Sequence, residues 1–333
     1  MRKPNLFIVG APRCGTTSLW SYLKGHPEIF MSTPKELYFF DNDIRREERR
    51  EPTEVEYLTH FSAACYQKKI GEATPSYLCS RHAPRKIKAF SPEAQIVIML
   101  RNPVDVMHSL HSSALYALEP ITDFGAALEA DAQRTRRARI GYREFTDFPE
   151  QAQRYFDVFG RENVHTIIYD DLKDGSAAVR QNLLRFLGVR LDFTAEFPLV
   201  NPNKQVRNVH LEMIVMRPPR TLRAISRFLA PQWLRSQVRR TLLDTNRTVA
   251  PRPAMDPGLR KRLQKECQPK VEQLSELLGR DLSEWCKETD VEERGKDDGE
   301  PEGVAHVFSQ RATRPLNHTH QRAVFKEGGP IRE

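Results

Sequence analysis

The chain has few cysteines, and they are not spaced as in disulfide-rich domains or zinc sites. Five cysteines are scattered over 333 residues, and no C-x-x-C pair occurs. Apolar runs of about 18 or more residues are also lacking, so no membrane-spanning helix is predicted. The apolar run near the start is only strand-length and does not match a secretory signal. These absences predict a cytoplasmic protein without structural disulfides or a bound metal.

Acidic residues are fewer than basic ones. The chain has 52 lysines and arginines against 44 aspartates and glutamates, which gives a formal net charge of +8. Such an excess indicates anionic ligands. No zinc-finger spacing, RNP-like segment or other nucleic-acid motif is present. The sequence therefore favours an anionic nucleotide or an acidic acceptor as the partner, and not nucleic acid.

Continuous apolar runs alternate with helical patterns along the chain. The runs lie at residues 6–9, 69–72, 96–100 and 164–169. Such runs are typical of parallel strands covered on both faces. The helical patterns lie at residues 16–25, 103–118, 148–159, 177–187 and 257–278. This alternation predicts a doubly wound α/β fold. Together with the P-loop spacing of residues 10–15, it predicts a P-loop-like three-layer sandwich with a central parallel sheet flanked by helices.

Composition divides the chain into one domain at residues 1–287 and a tail at residues 288–333. The tail is highly charged, rich in glycine and proline and poor in aromatic residues, so it is predicted to be disordered. Within the domain, residues 204–243 interleave arginines with apolar residues and predict basic amphipathic helices, broken at prolines. This segment is either a solvated helical face packed on the core, or a lid-like element that contacts the acceptor or a membrane surface.

The loop that follows the first apolar run lies between two glycines. The spacing Gly10-x-x-x-x-Gly15 is that of a P-loop, and hydroxyl residues occupy positions 16–18 at the start of the next helix. Backbone N–H groups at such a helix N-terminus bind phosphate. A lysine is expected after the second glycine of a P-loop, but Thr16 stands there. The positive charge lies inside the loop instead, at Arg13.

The groups that hold magnesium in a P-loop kinase are also missing. The run at residues 96–100 is followed by Arg101 and Asn102, with no aspartate at its end to hold the metal. What remains is an anion-binding loop with one cation, which predicts a phosphate-containing ligand bound without magnesium. Cys14 precedes the helix N-terminus, a position that stabilises a thiolate. No neighbouring base is apparent in the sequence, so a nucleophilic role for this cysteine is not favoured.

Two segments carry a resemblance to a known family. Residues 12–17 have the sequence PRCGTT, and residues 98–109 have the sequence IMLRNPVDVMHS. They are similar to the 5′-phosphosulfate loop and the 3′-phosphate segment of sulfotransferases that use 3′-phosphoadenosine-5′-phosphosulfate (PAPS). Residues 34–41 and 71–77 resemble further segments of the bacterial and glycosaminoglycan-type branch, and residues 277–285 resemble the last helix of the family. The resemblance covers residues 4–286.

The resemblance implies a sulfotransferase domain at residues 1–287 that moves a sulfuryl group from PAPS to a hydroxyl or amine acceptor. It implies that Glu36 is the catalytic base, that Arg13 stabilises charge on the leaving oxygen and that Lys35 assists at the sulfonate. A solvated lysine at position 35 and a surface or ion-paired carboxylate at position 36 are the alternatives. The donor-binding residues are expected to be Arg13, Cys14, Gly15, Thr16, Thr17, Ser18, Arg101, Ser109, Lys204 and Arg207.

The chain departs from the family in two respects. Ala73 stands where the glycosaminoglycan branch has a lysine after Glu72, which weakens the case for a heparan-type acceptor. The catalytic histidine and the closing Arg-Lys-Gly loop of the cytosolic small-molecule branch are not found. The acceptor is therefore a small molecule, lipid or saccharide of unassigned identity. A P-loop small-molecule kinase and a non-enzymatic anion- or glycan-binding module remain the alternatives.

Overall fold

The computed structural model describes residues 2–44, 51–116, 119–135, 140–173, 177–193, 204–216, 218–219, 231–250 and 252–287. Its strands are β1 (Leu6–Gly10), β2 (Ile29–Met31), β3 (Lys69–Ala73), β4 (Gln95–Leu100), β5 (Val164–Ile168), β6 (Lys204–Val206) and β7 (Arg247–Val249). The first five form a parallel sheet in the order β2-β3-β1-β4-β5. β6 and β7 form a separate antiparallel ribbon.

Helices follow most of the strands. They are α1 (Thr16–Lys24), α2 (Glu54–Thr59), α3 (Ala83–Phe90), α4 (Pro103–Tyr116), α5 (Phe124–Gln133), α6 (Phe148–Phe159), α7 (Tyr169–Lys173), α8 (Ala177–Leu187), α9 (Val209–Met216), α10 (Gln232–Asn246) and α11 (Pro257–Leu278). The predicted α/β fold, with a central parallel sheet flanked by helices, is confirmed. No helix in the described residues is both long and apolar enough to cross a bilayer.

The apolar runs form strands because helices cover both faces of the sheet. Leu6, Phe7, Ile8 and Val9 of β1 have no exposed surface, and neither do residues 96–100 of β4. Burial of each such side chain stabilises the fold by about 1.5–3 kcal/mol. β1 ends at Gly10, where an added Cβ would lie 2.3 Å from Cβ of Leu78. The close approach of that side chain excludes any larger residue at the strand end.

Local sequence signals fix several helix ends. The Asp123 side chain accepts a hydrogen bond from the N–H of Ala126 at the start of α5, and Asp256 caps α11 in the same way. α8 is followed by Gly188 at φ 67°, the left-handed conformation that favours glycine after a helix. These features explain why the predicted helix at 177–187 ends at Leu187 and why the one at 257–278 begins at Pro257. The predicted helix at 148–159 is also present and is followed by Gly160 at φ 78°.

The structure adds elements that the sequence patterns did not predict. β2 is only three residues long, too short to give a pattern, and the ribbon of β6 and β7 was not predicted either. The run at 164–169 ends one residue early, because Tyr169 begins α7. α9 and α10 lie in the basic segment expected to be helical. The predicted tail at residues 288–333 lies outside the described residues, so its disorder stays a prediction.

A buried carboxyl group lies within the sheet, at Glu72 of β3. Its side chain has no exposed surface, and neither oxygen meets a well-directed donor within the described residues. Burial raises the pKa of Glu72 to about 8. The nearby hydroxyls of Tyr77 and Tyr57 oppose that shift, and the carboxylate of Asp41 adds to it. The folded protein therefore holds Glu72 protonated at neutral pH.

The raised pKa of Glu72 predicts that the folded state loses stability as the pH rises. Between about pH 4.5 and pH 8 the unfolded chain ionises Glu72 while the folded chain keeps its proton. The free energy of unfolding then falls by up to about 1.4 kcal/mol per pH unit. We expect Glu72→Gln to remove this loss. Urea unfolding at several pH values should show that the free energy of unfolding of the variant, relative to that of the wild type, rises from pH 5 to pH 8.

The exposed Glu93 provides the control for this measurement. Glu93→Gln should leave the difference from the wild type unchanged across the same pH range. A Glu72→Gln variant whose stability runs parallel to that of the wild type would show that the carboxyl group is ionised in the folded protein.

Candidate active site

Three neighbouring strands bring the predicted site segments to one edge of the sheet. β1 lies between β3 and β4, and all three run parallel, so their carboxyl ends meet at the same edge. Just past the strand ends, the N–H of Thr74 donates to the carbonyl of Ile8 (3.1 Å). On the other side, the N–H of Ala11 donates to the carbonyl of Met99 (2.7 Å). The glycine-bounded loop therefore emerges between the segment after β3 and Arg101 after β4.

The loop turns sharply into α1. Arg13 and Gly15 have φ values of 65° and 84°, both in the left-handed region. A Cβ at Gly15 would lie 2.8 Å from the ring of Tyr169, so this position also requires glycine for space. α1 begins at Thr16, and among the described residues no side-chain hydrogen bond caps its N-terminus. The N–H groups of its first turn are thus placed to bind an anion, as the predicted phosphate loop requires.

Ser109 of α4 contacts both the glycine-bounded loop and the segment just before α11. Its hydroxyl is buried on α4 and accepts a hydrogen bond from Nε of Arg13 (2.8 Å). The same oxygen accepts from Nη2 of Arg252 (3.0 Å), which lies just before α11. Arg13 and Ser109 were predicted to bind opposite ends of one donor. The structure places them in direct contact, together with a second arginine.

Arg101 lies beside this cluster and is held in place from two sides. Its guanidinium group stacks over the ring of Tyr169, 4.8 Å from the centroid, and its Nη2 is 4.0 Å from the carboxylate of Asp105. Asp105 also pairs with Arg260 at 3.0 Å. Nε of Arg101 is buried and has no hydrogen-bond partner within the described part of the chain. An arginine with an unmet donor among other arginines fits a phosphate ligand.

The electrostatic effect of the cluster is visible at His108. Burial, the largest cause, and the charges of Arg252 and Arg260 together lower the pKa of His108 to about 4. The imidazole is therefore neutral at physiological pH and adds no positive charge to the site. The field of the site is set by the arginines.

The predicted catalytic pair forms a compact group on the segment after β2. Nζ of Lys35 pairs with Oε1 of Glu36 at 2.6 Å, and the hydroxyl of Tyr38 donates to Oε2. Burial lowers the pKa of Lys35, and the ion pair with Glu36 opposes that shift. Both oxygens of Glu36 thus have a donor that orients the carboxylate. The solvated lysine considered as an alternative is wrong, because Lys35 is largely buried and paired. The ion-paired carboxylate considered as the alternative for Glu36 is observed, and the role of Glu36 as the base stays a prediction.

β3 and the turn after it hold this segment in place. The N–H of Glu36 donates to the carbonyl of Ala73 (3.0 Å), and the N–H of Leu37 donates to the hydroxyl of Thr74 (3.1 Å). Further along, the N–H of Phe39 donates to the hydroxyl of Tyr77 (2.8 Å). Glu36 is therefore attached to the strand that pairs with β1, next to the glycine-bounded loop.

The other predicted donor-binding residues lie outside the arginine cluster around Ser109, and they differ in burial. Thr16 and Ser18 are buried at the start of α1, and Thr17 is partly exposed. Burial raises the pKa of the Cys14 thiol to about 12, so the expected thiolate stabilisation at the helix N-terminus is wrong. The contact of Cys14 with the donor stays a prediction. Arg207 is exposed, and its N–H donates to the carbonyl of Asn246 in the ribbon.

Lys204 lies in β6, and its side chain is outside what the structure describes. Its contact with the donor stays a prediction, and so does that of Arg207.

Four residues of the site were not predicted from the sequence. They are Tyr38, Tyr169, Arg252 and Arg260. Tyr169 follows β5 directly, so its position at the end of a parallel strand was a usable signal. Arg252 lies 143 residues from Ser109 in the sequence, and no local pattern connects the two.

Comparison with known proteins agrees with this geometry. Residues 3–275 match the Sulfotransferase domain family. The chain is 30% identical over 125 residues to heparan sulfate glucosamine 3-O-sulfotransferase 6 of Homo sapiens, a match covering 38% of this chain and 34% of that protein. It is 30% identical over 147 residues to carbohydrate sulfotransferase 15 of Mus musculus, covering 32% of this chain and 26% of the relative. The chain thus spans about a third or less of these curated relatives.

A solved structure is similar over most of this chain. The sulfotransferase from Alicyclobacillus acidocaldarius is 26% identical, with a TM-score of 0.67, and the match covers 86% of this chain and 100% of that one. The kinase and the non-enzymatic binding module are not favoured by any of these matches. The family match over residues 3–275 agrees with the order of strand, glycine-bounded loop and helix and with the arginines around Ser109. The chain therefore belongs to the sulfotransferase domain family.

Proposed function

We propose that the chain is a PAPS-dependent sulfotransferase that transfers the sulfuryl group to a hydroxyl or amine and releases adenosine 3′,5′-bisphosphate. One observation carries the proposal. Arg13 of the glycine-bounded loop contacts Ser109, which lies on α4, the helix that begins just after Arg101. The two segments that resemble the 5′ and 3′ parts of a PAPS site are thereby brought to one place.

The residues at this place suit the two anionic ends of the donor. The N–H groups at the start of α1 and the guanidinium of Arg13 are proposed to bind the 5′-phosphosulfate. Arg101, Ser109 and Arg252 are proposed to bind the 3′-phosphate, since arginine matches phosphate oxygens with paired donors. The unmet Nε of Arg101 supports this assignment. No metal is needed to balance the charge, because the arginines supply it.

The catalytic roles follow from the chemistry of sulfuryl transfer. The acceptor must lose a proton, and we assign its removal to the carboxylate of Glu36. Negative charge develops on the leaving phosphate oxygen, and Arg13 is proposed to stabilise it. Lys35 and Tyr38 orient Glu36 through its two oxygens. Each carboxylate oxygen keeps a second lone pair for the acceptor proton.

The acceptor is proposed to be a small molecule, lipid or saccharide. The names of two relatives, a heparan sulfate and a carbohydrate sulfotransferase, support a saccharide. Ala73, where the glycosaminoglycan branch has a lysine, argues against a heparan-type chain. A screen of sugars, phenols, lipids and peptides with labelled PAPS would identify the class.

A cytoplasmic location stays a prediction, supported by five cysteines that are all free.

Ligand-induced stabilisation tests the donor directly. Adenosine 3′,5′-bisphosphate at about 100 times its dissociation constant should add about 2.7 kcal/mol to the free energy of unfolding. We expect a clear rise in the melting temperature with this ligand and a smaller one with ATP and magnesium. A larger shift with ATP and magnesium, or none with the bisphosphate, would contradict the proposal in favour of a kinase or a binding module.

Replacement of Arg252 tests the part of the site that the sequence did not reveal. Arg252→Gln removes a charged donor beside Ser109, and a hydrogen bond to a charged group contributes about 1.5–3 kcal/mol. We expect the dissociation constant of adenosine 3′,5′-bisphosphate, measured by calorimetry, to rise at least tenfold. Arg262→Gln is the matched control, since Arg262 is an exposed arginine of α11 paired with Glu129. Equal affinities in the two variants would remove Arg252 from the site.

Replacement of Glu36 separates catalysis from donor binding. Glu36→Gln keeps the shape of the side chain but cannot take the acceptor proton. We expect transfer to fall by about 10²–10⁴-fold, with the melting-temperature shift by adenosine 3′,5′-bisphosphate retained. Glu93→Gln, at an exposed position, should retain both. Transfer by Glu36→Gln at the wild-type rate would assign the base to another residue.

A further inference from the structure

The excess positive charge of the chain is concentrated in one segment. Residues 204–250 contain ten lysines and arginines and two acidic residues, a net charge of +8. The whole chain also has a net charge of +8, so the rest of it is electrically balanced. Arg13, Arg101 and Arg252 of the proposed active site lie outside this segment, and within it Lys204 and Arg207 are the two residues predicted to contact the donor. The other eight basic residues of the segment call for a partner of their own.

The same segment exposes apolar side chains. Seven large apolar or aromatic side chains are exposed among the described residues, and four of them lie on α9 and α10. Leu234, Val238 and Leu242 are 38%, 51% and 38% exposed and follow one another at four-residue spacing, so they share one face of α10. Ile214 of α9 is 48% exposed. A soluble helix normally buries such a stripe.

α9 and α10 form one structural unit. α9 packs against α10, and β6 and β7 pair at the base of the unit. Asn208 and Asn246 close that base through reciprocal hydrogen bonds of 3.0 and 2.9 Å. Arg239 of α10 reaches Met216 of α9. The exposed apolar side chains of the two helices thus belong to a single unit and not to two unrelated segments.

Arginines border the apolar stripe on one side. Arg235 and Arg239 follow Leu234 and Val238 in the sequence, and at 3.6 residues per turn they lie next to the stripe on the helix surface. Arg240 is also exposed, but the same geometry places it on the opposite side of α10 from Val238. The helix therefore presents an apolar face with a basic edge, the arrangement of helices that lie in a membrane interface.

We propose that α9 and α10 dock on an anionic lipid surface. Leu234, Val238 and Leu242 enter the headgroup region, and Arg235 and Arg239 contact lipid phosphates. An acidic glycan would satisfy the arginines but would leave the apolar stripe in water. An apolar groove on another protein would cover the stripe but would not use a charge of +8. An anionic bilayer surface matches both features.

Vesicle binding by the full chain tests this surface without any use of the sulfotransferase reaction. The probes are vesicles of phosphatidylcholine alone and of phosphatidylcholine mixed with phosphatidylserine, and binding is measured by co-sedimentation. We expect at least tenfold tighter binding to the mixed vesicles, weakened by added salt. Val238→Asp should lower that binding tenfold or more, because an apolar side chain is lost from the interface and a negative charge is added there.

Matched variants separate a lipid surface from a general charge effect. Arg239→Gln should weaken binding to the mixed vesicles about fivefold, and Arg240→Gln, the same change on the opposite side of α10, should weaken it less. Val55→Asp changes an exposed valine on α2 and should have no effect. Unchanged thermal unfolding of each variant without ligand would show that the fold is retained.

Three results would overturn the proposal. The first is equal binding to neutral and anionic vesicles, or none to either. The second is a Val238→Asp variant that binds like Val55→Asp. The third is tight binding of a soluble sulfated polysaccharide that is insensitive to Val238→Asp, which would assign the arginines to an acidic glycan. Because vesicle binding needs no donor or acceptor, its failure would leave the proposed sulfotransferase activity untouched, and the reverse also holds.

Discussion

The parallel pairing of β1 with β3 on one side and β4 on the other is the constraint on which the site depends. The backbone hydrogen bonds just past the strand ends, from Thr74 to Ile8 and from Ala11 to Met99, fix three chain segments at one edge. Those segments carry the glycine-bounded loop, Arg101 and the turn after β3, to which the segment of Glu36 is hydrogen-bonded. None of them needs a regular structure of its own to be held precisely, because the buried strands supply the rigidity.

Clustering of four arginines has a cost that the structure offsets only in part. Arg13 and Arg252 share the hydroxyl of Ser109, and Arg260 shares the carboxylate of Asp105 with Arg101. Asp105 neutralises part of the positive charge of this cluster. Mutual repulsion among the arginines is therefore relieved most fully when an anion binds. Such a site is organised before its ligand arrives, which favours stabilisation of charge that develops during transfer.

The sequence predicted the fold and half of the site for a clear physical reason. Strands buried on both faces leave long apolar runs, so β1, β4 and the glycine-bounded loop after β1 were found from local patterns. Arg101 and Ser109 were assigned to the site through the family resemblance. β2 has only three residues and leaves no such signal. Arg252 reaches Ser109 through packing of distant segments, which no spacing rule describes. The attachment of Glu36 to β3 likewise depends on contacts between segments 37 residues apart, such as that of Leu37 with Thr74.

The two basic regions of the molecule differ in how water screens them. The arginines around Ser109 are partly buried and hold their neighbours at hydrogen-bond distance, so added salt weakens their interactions little. Arg239 and Arg240 are exposed, and at physiological ionic strength their field falls off within about 8 Å. The first region suits tight binding of one small anion in a fixed geometry. The second can attract only a partner that presents many charges at close range, and the adjoining apolar stripe requires that this partner also receive apolar side chains.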